Sequence, residues 1–155
     1  ITIMDLPGHV EAAKEKIFSQ GFGDRVSFYP CNILNESQKL PAGFDAIWMS
    51  QFLDCFSEAQ IISILKRCKQ ALASGGSIYI LEAFWDRQRF EGSAFTLQQT
   101  SLYFTAMANG NSQMYDSRVF IRCINEAGLE VVDEKDSIGV SHTLLACKPV
   151  AVGGK

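Results

Sequence analysis

Apolar positions along the chain keep switching between two periods. Ile1-Thr2-Ile3-Met4 reads as a strand, and Val10, Ala13 and Ile17 then recur three and four residues apart, predicting a helix that stops before Gly21-Phe22-Gly23. Val26-Ser27-Phe28-Tyr29 and Phe44 to Met49 read as the next strands. Ser57 is placed to cap a helix with Glu58 in its first turn, Ile61, Ile62, Leu65, Cys68 and Leu72 as its inward stripe, and Ser74-Gly75-Gly76 as its end. Strand Ser77 to Leu81 follows. A helix is expected within Phe95 to Met114, and another, capped by Asp116 or Ser117, turns Phe120, Ile121, Ile124 and Ala127 inward and stops at Gly128.

The last two apolar runs break this rhythm. Leu129 to Glu134 and Val140 to Cys147 are separated by a short turn around Asp136-Ser137-Ile138-Gly139, too few residues for the crossover that parallel neighbours need. They are expected to form an antiparallel hairpin. The whole pattern predicts an α/β fold: a mostly parallel sheet with helices on both faces, closed by that hairpin. One domain is expected over 1–148, with a tail at 149–155 of which Val150 to Lys155 looks frayed.

Composition narrows the class. A chain of 155 residues, 47% hydrophobic, is long enough to bury a core of its own. The net charge of −3 comes without a basic cluster, so no nucleic-acid partner is expected. No apolar run approaches membrane-spanning length, so no membrane partner is expected either. Cys31, Cys55, Cys68, Cys123 and Cys147 are odd in number and lack CxxC spacing, which reads as free thiols in a reducing compartment, hence a soluble cytoplasmic protein with no metal site.

Candidate chemistry collects at strand ends, where α/β folds bind nucleotides. Asp5-Leu6-Pro7 follows the first strand and Cys31-Asn32-Ile33-Leu34 the second; Ser50-Gln51-Phe52-Leu53-Asp54 follows the third, and Glu82 closes the fourth. Asp5 can accept hydrogen bonds from both hydroxyls of a ribose, or simply cap the next helix. Asn32 serves either a ligand or an Asx-turn. Asp54 can be a base or a capping residue, and Glu82 ends a buried strand where an unpaired charge is expensive. His9 and His142 read as surface or satisfied histidines. Tyr103, Phe104, Met107 and Met114 form a stripe that is either core or, with Trp85, an apolar wall for an aromatic ligand.

These stretches, with Leu72-Ala73-Ser74-Gly75-Gly76 and the closing hairpin, resemble in their order the class I S-adenosylmethionine-dependent methyltransferases, specifically the small-molecule O-methyltransferases of the caffeate and hydroxyindole type. The resemblance covers residues 1 to 148. It implies S-adenosyl-L-methionine as cofactor, bound by Asp5 and Leu6 at the ribose, by Asn32 and Ile33 at the adenine, and by Ser50. It further implies a small, aromatic hydroxylated substrate against Trp85, Tyr103 and Met107, catalysis at Asp54 and Glu82, and a homodimer.

Four departures accompany it. The family's first strand and glycine-rich loop have no counterpart, so the chain is expected to be the C-terminal part of a longer protein, with the strands ending at Asp5 and Met49 each left with an unpaired edge. Asp54 stands where the plant enzymes carry a general-base histidine, and Met114 falls where they carry a second carboxylate. Asn32 replaces the usual Asp. The competing reading is a protein of this fold that has lost methyl transfer and binds a ligand or dimerises. A third, a nicotinamide-dependent dehydrogenase, is opposed by the closing hairpin.

Overall fold

The computed structural model describes residues 1–107 and 110–151. It divides into two compact units, Ile1–Lys39 and Leu40–Lys155.

In the first unit, β1 (Thr2–Asp5) and β2 (Ser27–Pro30) form a parallel pair joined by α1 (Pro7–Ser19). Pro7 at the first helical position pre-sets the backbone without sacrificing a hydrogen bond. Of the expected inward stripe, Val10 is fully buried and Ala13 and Ile17 are half-buried. Gly21, at φ 78°, supplies the left-handed turn that releases the chain toward β2.

The second unit contains β3 (Phe44–Ser50), α2 (Glu58–Ala71), β4 (Leu72–Glu82), α3 (Glu91–Met107), α4 (Ser117–Glu126), β5 (Leu129–Ile138) and β6 (His142–Pro149). Its sheet order is β3-β4-β6-β5: β3 and β4 run parallel, and β6 is antiparallel to both neighbours. The expected hairpin is present, longer than its apolar runs suggested, with β5 continuing to Ile138. Among the described residues β1 pairs only with β2 and β3 only with β4, as the resemblance implied.

Strand alternation puts Ile47 and Met49 of β3, Ile78 and Ile80 of β4, and Leu145 and Cys147 of β6 on one face, all buried. Against this face pack α2, through Ile61, Ile64, Leu65 and Cys68, and α4, through Phe120, Cys123 and Ile124. Ile64 and Cys123 take inward places that the sequence pattern gave to Ile62 and Ile121, which are half-buried. The opposite face carries Trp48 stacked on Tyr79.

Both predicted caps form. Ser57 Oγ accepts from Gln60 N while Gln60 Oε1 accepts from Ser57 N, a reciprocal capping box, and Asp116 caps α4 through Arg118 N. Three boundaries differ from expectation. Helix α2 ends at Ala71, because Leu72 already pairs with Phe44 and residues 73–76 bulge out before Ala46 pairs with Ser77. Gly76 is required there: a Cβ would sit 2.8 Å from the Phe44 carbonyl oxygen. Helix α3 starts at Glu91 and its described part ends at Met107; Gly110, at φ 78°, is beyond helical geometry, so Met114 lies outside the helix. Finally, Val150 N donates to Gly128 O at 3.2 Å, so the expected tail is not frayed at its first residue; residues 152–155 of it lie outside the described residues.

Candidate functional site

At the C-terminal edge of the first unit's sheet, Asp5 ends β1 beside the chain leaving β2, with Cys31 N donating to Asp5 O at 2.8 Å. Asp5 Oδ1 accepts from Leu6 N at 2.7 Å and lies 3.2 Å from His9 Nδ1. The carboxylate is partly exposed and its Oδ2 makes no hydrogen bond among the described residues. His9 is thus a surface histidine satisfied by Asp5, in line with its reading from the sequence. Asn32 forms the Asx-turn that was its structural alternative, its Oδ1 accepting from Leu34 N at 3.0 Å, and Ile33 beside it is half-buried. The parallel pairing of β1 and β2 thus brings Asp5, Leu6, Asn32 and Ile33 to one edge.

In the second unit, Ser50 ends β3 and Gln51 turns sharply, at φ 47°, a left-handed conformation that costs a non-glycine residue free energy. The turn is held from several sides. Gln51 N donates to Leu81 O at 2.9 Å, and Glu82 Oε1 accepts from Phe52 N at 3.0 Å and Leu53 N at 2.9 Å. Gln113 N donates to Asp54 O at 2.9 Å, and the Tyr115 hydroxyl donates to Phe56 O at 2.6 Å. Leu53 is wholly buried, which fixes the short 3-10 turn Leu53–Cys55 that carries Asp54.

Glu82 reaches this turn because it continues the inward register of Ile78 and Ile80. Opposite it on β6 stands Thr143, also buried, so the apolar face of the sheet ends in one polar rung. Glu82 is 1% exposed. Burial, reinforced by the charge of Asp54, pushes its carboxyl up to about 8 against the pull of the Phe52, Leu53 and Asp54 backbone amides. Asp54 is itself raised above its ordinary value, again by burial, with its bond to Cys55 and the His142 imidazole opposing the rise. His142, at the start of β6, therefore belongs to the electrostatic surroundings of Asp54, which its sequence context did not suggest.

Trp85 lies in the 3-10 turn Trp85–Arg87, half-buried, its backbone N–H donating to Tyr115 O at 3.4 Å. Tyr103 and Met107 lie one turn apart on α3 and are 61% and 71% exposed. The reading of that stripe as core is thus overturned: α3 buries no residue fully and packs against the Trp85–Arg87 turn. Its C-terminal half is tied to the segment before α4, with Met114 N donating to Ser101 Oγ at 3.0 Å and Thr105 Oγ1 to Ser112 O at 2.9 Å.

Residues 112–115 thus connect α3, Trp85 and the Asp54 turn. Gln113 and Tyr115 were missed because they act through a backbone amide and a single hydroxyl, neither of which leaves a spacing signature. A cleft of about 360 Å³ opens between Ser57 and Glu58 at the start of α2 and Thr105, Asn111 and Gln113, but no sequence-predicted site residue lines it. Among the described residues no cysteine is in a disulfide, and no metal-ligating cluster is found. No helix among the described residues is long and apolar enough to cross a membrane.

Comparison with known proteins gives this arrangement a context. The chain is 23% identical over 129 residues to 3-amino-4-hydroxybenzoate 4-O-methyltransferase of Streptomyces cremeus, covering 83% of this chain and 33% of that one. It is 27% identical over 139 residues to aclacinomycin 10-hydroxylase RdmB of Streptomyces purpurascens, covering 88% of this chain and 35% of that one. The chain therefore spans about a third of the length of these curated relatives. The crystal structure of the O-methyltransferase NcsB1 from neocarzinostatin biosynthesis, in complex with S-adenosyl-L-homocysteine and 1,4-dihydroxy-2-naphthoic acid, superposes with a TM-score of 0.78 at 21% identity, over 96% of this chain and 42% of that one. The fold is thus the Rossmann-like one of such methyltransferases. A family model described as the O-methyltransferase domain matches residues 1–130, and the chain belongs to that family.

Proposed function

We propose that the protein transfers a methyl group from S-adenosyl-L-methionine to a hydroxyl of a small aromatic molecule. The observation that carries this reading is the match of the O-methyltransferase domain over residues 1–130, which includes both strand-end clusters and the Asp54 turn. Two relatives add to it by their names, one a hydroxybenzoate methyltransferase and the other an enzyme complexed with a dihydroxynaphthoic acid.

The donor set of the first unit fits the cofactor. Asp5 keeps one carboxylate oxygen clear of protein hydrogen bonds, suited to a ribose diol, and Leu6 flanks it. Asn32 and Ile33 offer an amide and an apolar surface to adenine; the Asn32 oxygen already holds Leu34 N and keeps one lone pair for another donor. For Ser50 a cofactor contact rests on the family resemblance alone. When bound, S-adenosylmethionine supplies a methyl group already activated by its sulfonium.

The protein's part is then to align the acceptor, exclude water and take a proton. Asp54 is the proton acceptor in this reading, because burial moves its carboxyl toward the working pH and the four-sided fastening of its turn fixes its backbone. Trp85, Tyr103 and Met107 form the acceptor's apolar wall. A homodimer in the cytoplasm is the expected setting, supported by the family resemblance.

A second reading has its own support. Asp54 and Met114 replace the histidine and carboxylate that the resemblance implies, and one relative matching 88% of the chain is named a hydroxylase. Calorimetric titration of the intact protein with S-adenosylhomocysteine, followed by a methyl-release assay on hydroxylated aromatic acids, separates the two. Binding with turnover supports methyl transfer. Binding with no turnover on any acceptor favours a protein that has left methyl transfer behind.

A further inference from the structure

We propose that Glu82 is a positioning residue and an uncharged one: its Oε1 holds the Gln51–Cys55 turn by accepting two amide protons, its Oε2 carries a proton, and Asp54 remains the one charged carboxyl of the pair. The inference deepens the reading of Asp54 as proton acceptor, on which its last clause rests.

The geometry has three parts. First, strand register dictates that Glu82 points into the core, since Ile78 and Ile80 precede it on the same face and Thr143 lies across from it. Second, its two oxygens differ. Oε1 takes the Phe52 and Leu53 amides, which the turn would otherwise leave unsatisfied in the interior, whereas Oε2 is buried and has no hydrogen-bond partner. Third, the groups facing it offer no counter-charge of permanent sign. They are Asp54 and Cys55 on the turn, and Thr143 with His142 beside it on β6; among the described residues Glu82 has no ion-pair partner.

A carboxylate sealed into such a place beside a second carboxylate is driven to its acid form, because desolvation and like charge act in the same direction. The upward displacement of its titration to about 8 agrees. An acid form still accepts two amide protons on its carbonyl oxygen, so the clamp persists in the neutral state with weaker bonds than a carboxylate would make. Glu82 thus leaves the strained Gln51 turn over-determined, as a residue held in a left-handed conformation requires.

The test compares wild type, Glu82→Gln and Glu82→Ala in the intact protein near pH 7. Amide hydrogen exchange at Phe52 and Leu53 should accelerate roughly tenfold or more in Glu82→Ala, where both amides lose their acceptor, and stay close to wild type in Glu82→Gln, whose oxygen replaces Oε1. The infrared difference spectrum between wild type and Glu82→Gln should contain one protonated-carboxyl band at pH 7, which fades as the pH is raised past 8. If Glu82→Ala does not fold, the glutamine variant and the infrared band still decide. Loss of amide protection in Glu82→Gln, or absence of that band, overturns the proposal. Neither readout needs cofactor or acceptor, so failure of methyl transfer would be recognised separately.

Discussion

Loss of stability as the pH rises from 4.5 to about 8 is the sharpest consequence of the burial of Glu82. The carboxyl titrates from an ordinary 4.5 in the unfolded chain to about 8 in the folded one. Between those values the folded state holds a proton that the unfolded state releases. The stability gradient with pH is therefore negative, by the linkage between bound protons and unfolding free energy. The contribution is fully present below 4.5, declines through the neutral range and is exhausted by about 8. Its total, with each pH unit worth about 1.4 kcal/mol of protonation free energy, is roughly 5 kcal/mol. That is a large share of the 5–15 kcal/mol typical of a whole domain. Asp54, raised in the same direction, adds to the slope with the same sign. Glu82→Gln removes the titrating proton while keeping the shape and the acceptor oxygen. Reversible urea unfolding of both proteins at a series of pH values should give a falling curve for wild type and a much flatter one for the variant, converging at acid pH. Parallel curves would refute the reasoning, since they would mean that Glu82 ionises as easily inside the protein as outside it.

Further outcomes follow from single contacts. Asp5→Ala should weaken S-adenosylhomocysteine binding by roughly 1.5 to 3 kcal/mol, read by calorimetry, if the carboxylate holds the ribose; unchanged affinity would remove that assignment. Asp54→Asn should reduce methyl-transfer kcat far more than KM, and equal turnover across the pH range would exclude Asp54 as the base. Ser57→Ala breaks one half of the capping box and should lower the midpoint of unfolding by an amount equivalent to about 1 kcal/mol. Gly76→Ala places a methyl against the Phe44 carbonyl oxygen and should destabilise the protein, measured in the same melts, whereas Gly92→Ala, with open space around it, should not.

Much of the fold could be read from period alone. Val10 was identified from helical spacing, the β5–β6 hairpin from the shortness of its connection, and the buried setting of Glu82 from its place at the end of an apolar strand. What escaped was set by contacts distant in sequence. Nothing around Gln113 or Tyr115 announces that one amide and one hydroxyl secure a turn some sixty residues earlier. The apolar stripe of α3 misled for the opposite reason: Tyr103 and Met107 have core-like chemistry at core-like spacing, yet both face outward. Helical period records which residues share a face, and only packing records what that face meets. Likewise Ser74-Gly75-Gly76 signals a break in regular structure but not whether it ends a helix or bulges a strand, since both need the left-handed φ of 79° that Gly75 adopts.

The chain's two tryptophans occupy contrasting environments. Trp48, 59% exposed on the outer face of the sheet, should emit at long wavelength and be readily quenched by iodide, while Trp85 should emit further to the blue and resist the quencher. Intrinsic fluorescence therefore gives this protein two separate reporters without any label. An aromatic acceptor seated by the Trp85–Arg87 turn would dim the shielded emitter alone, and a neighbour laid over the outer strands would protect the accessible one.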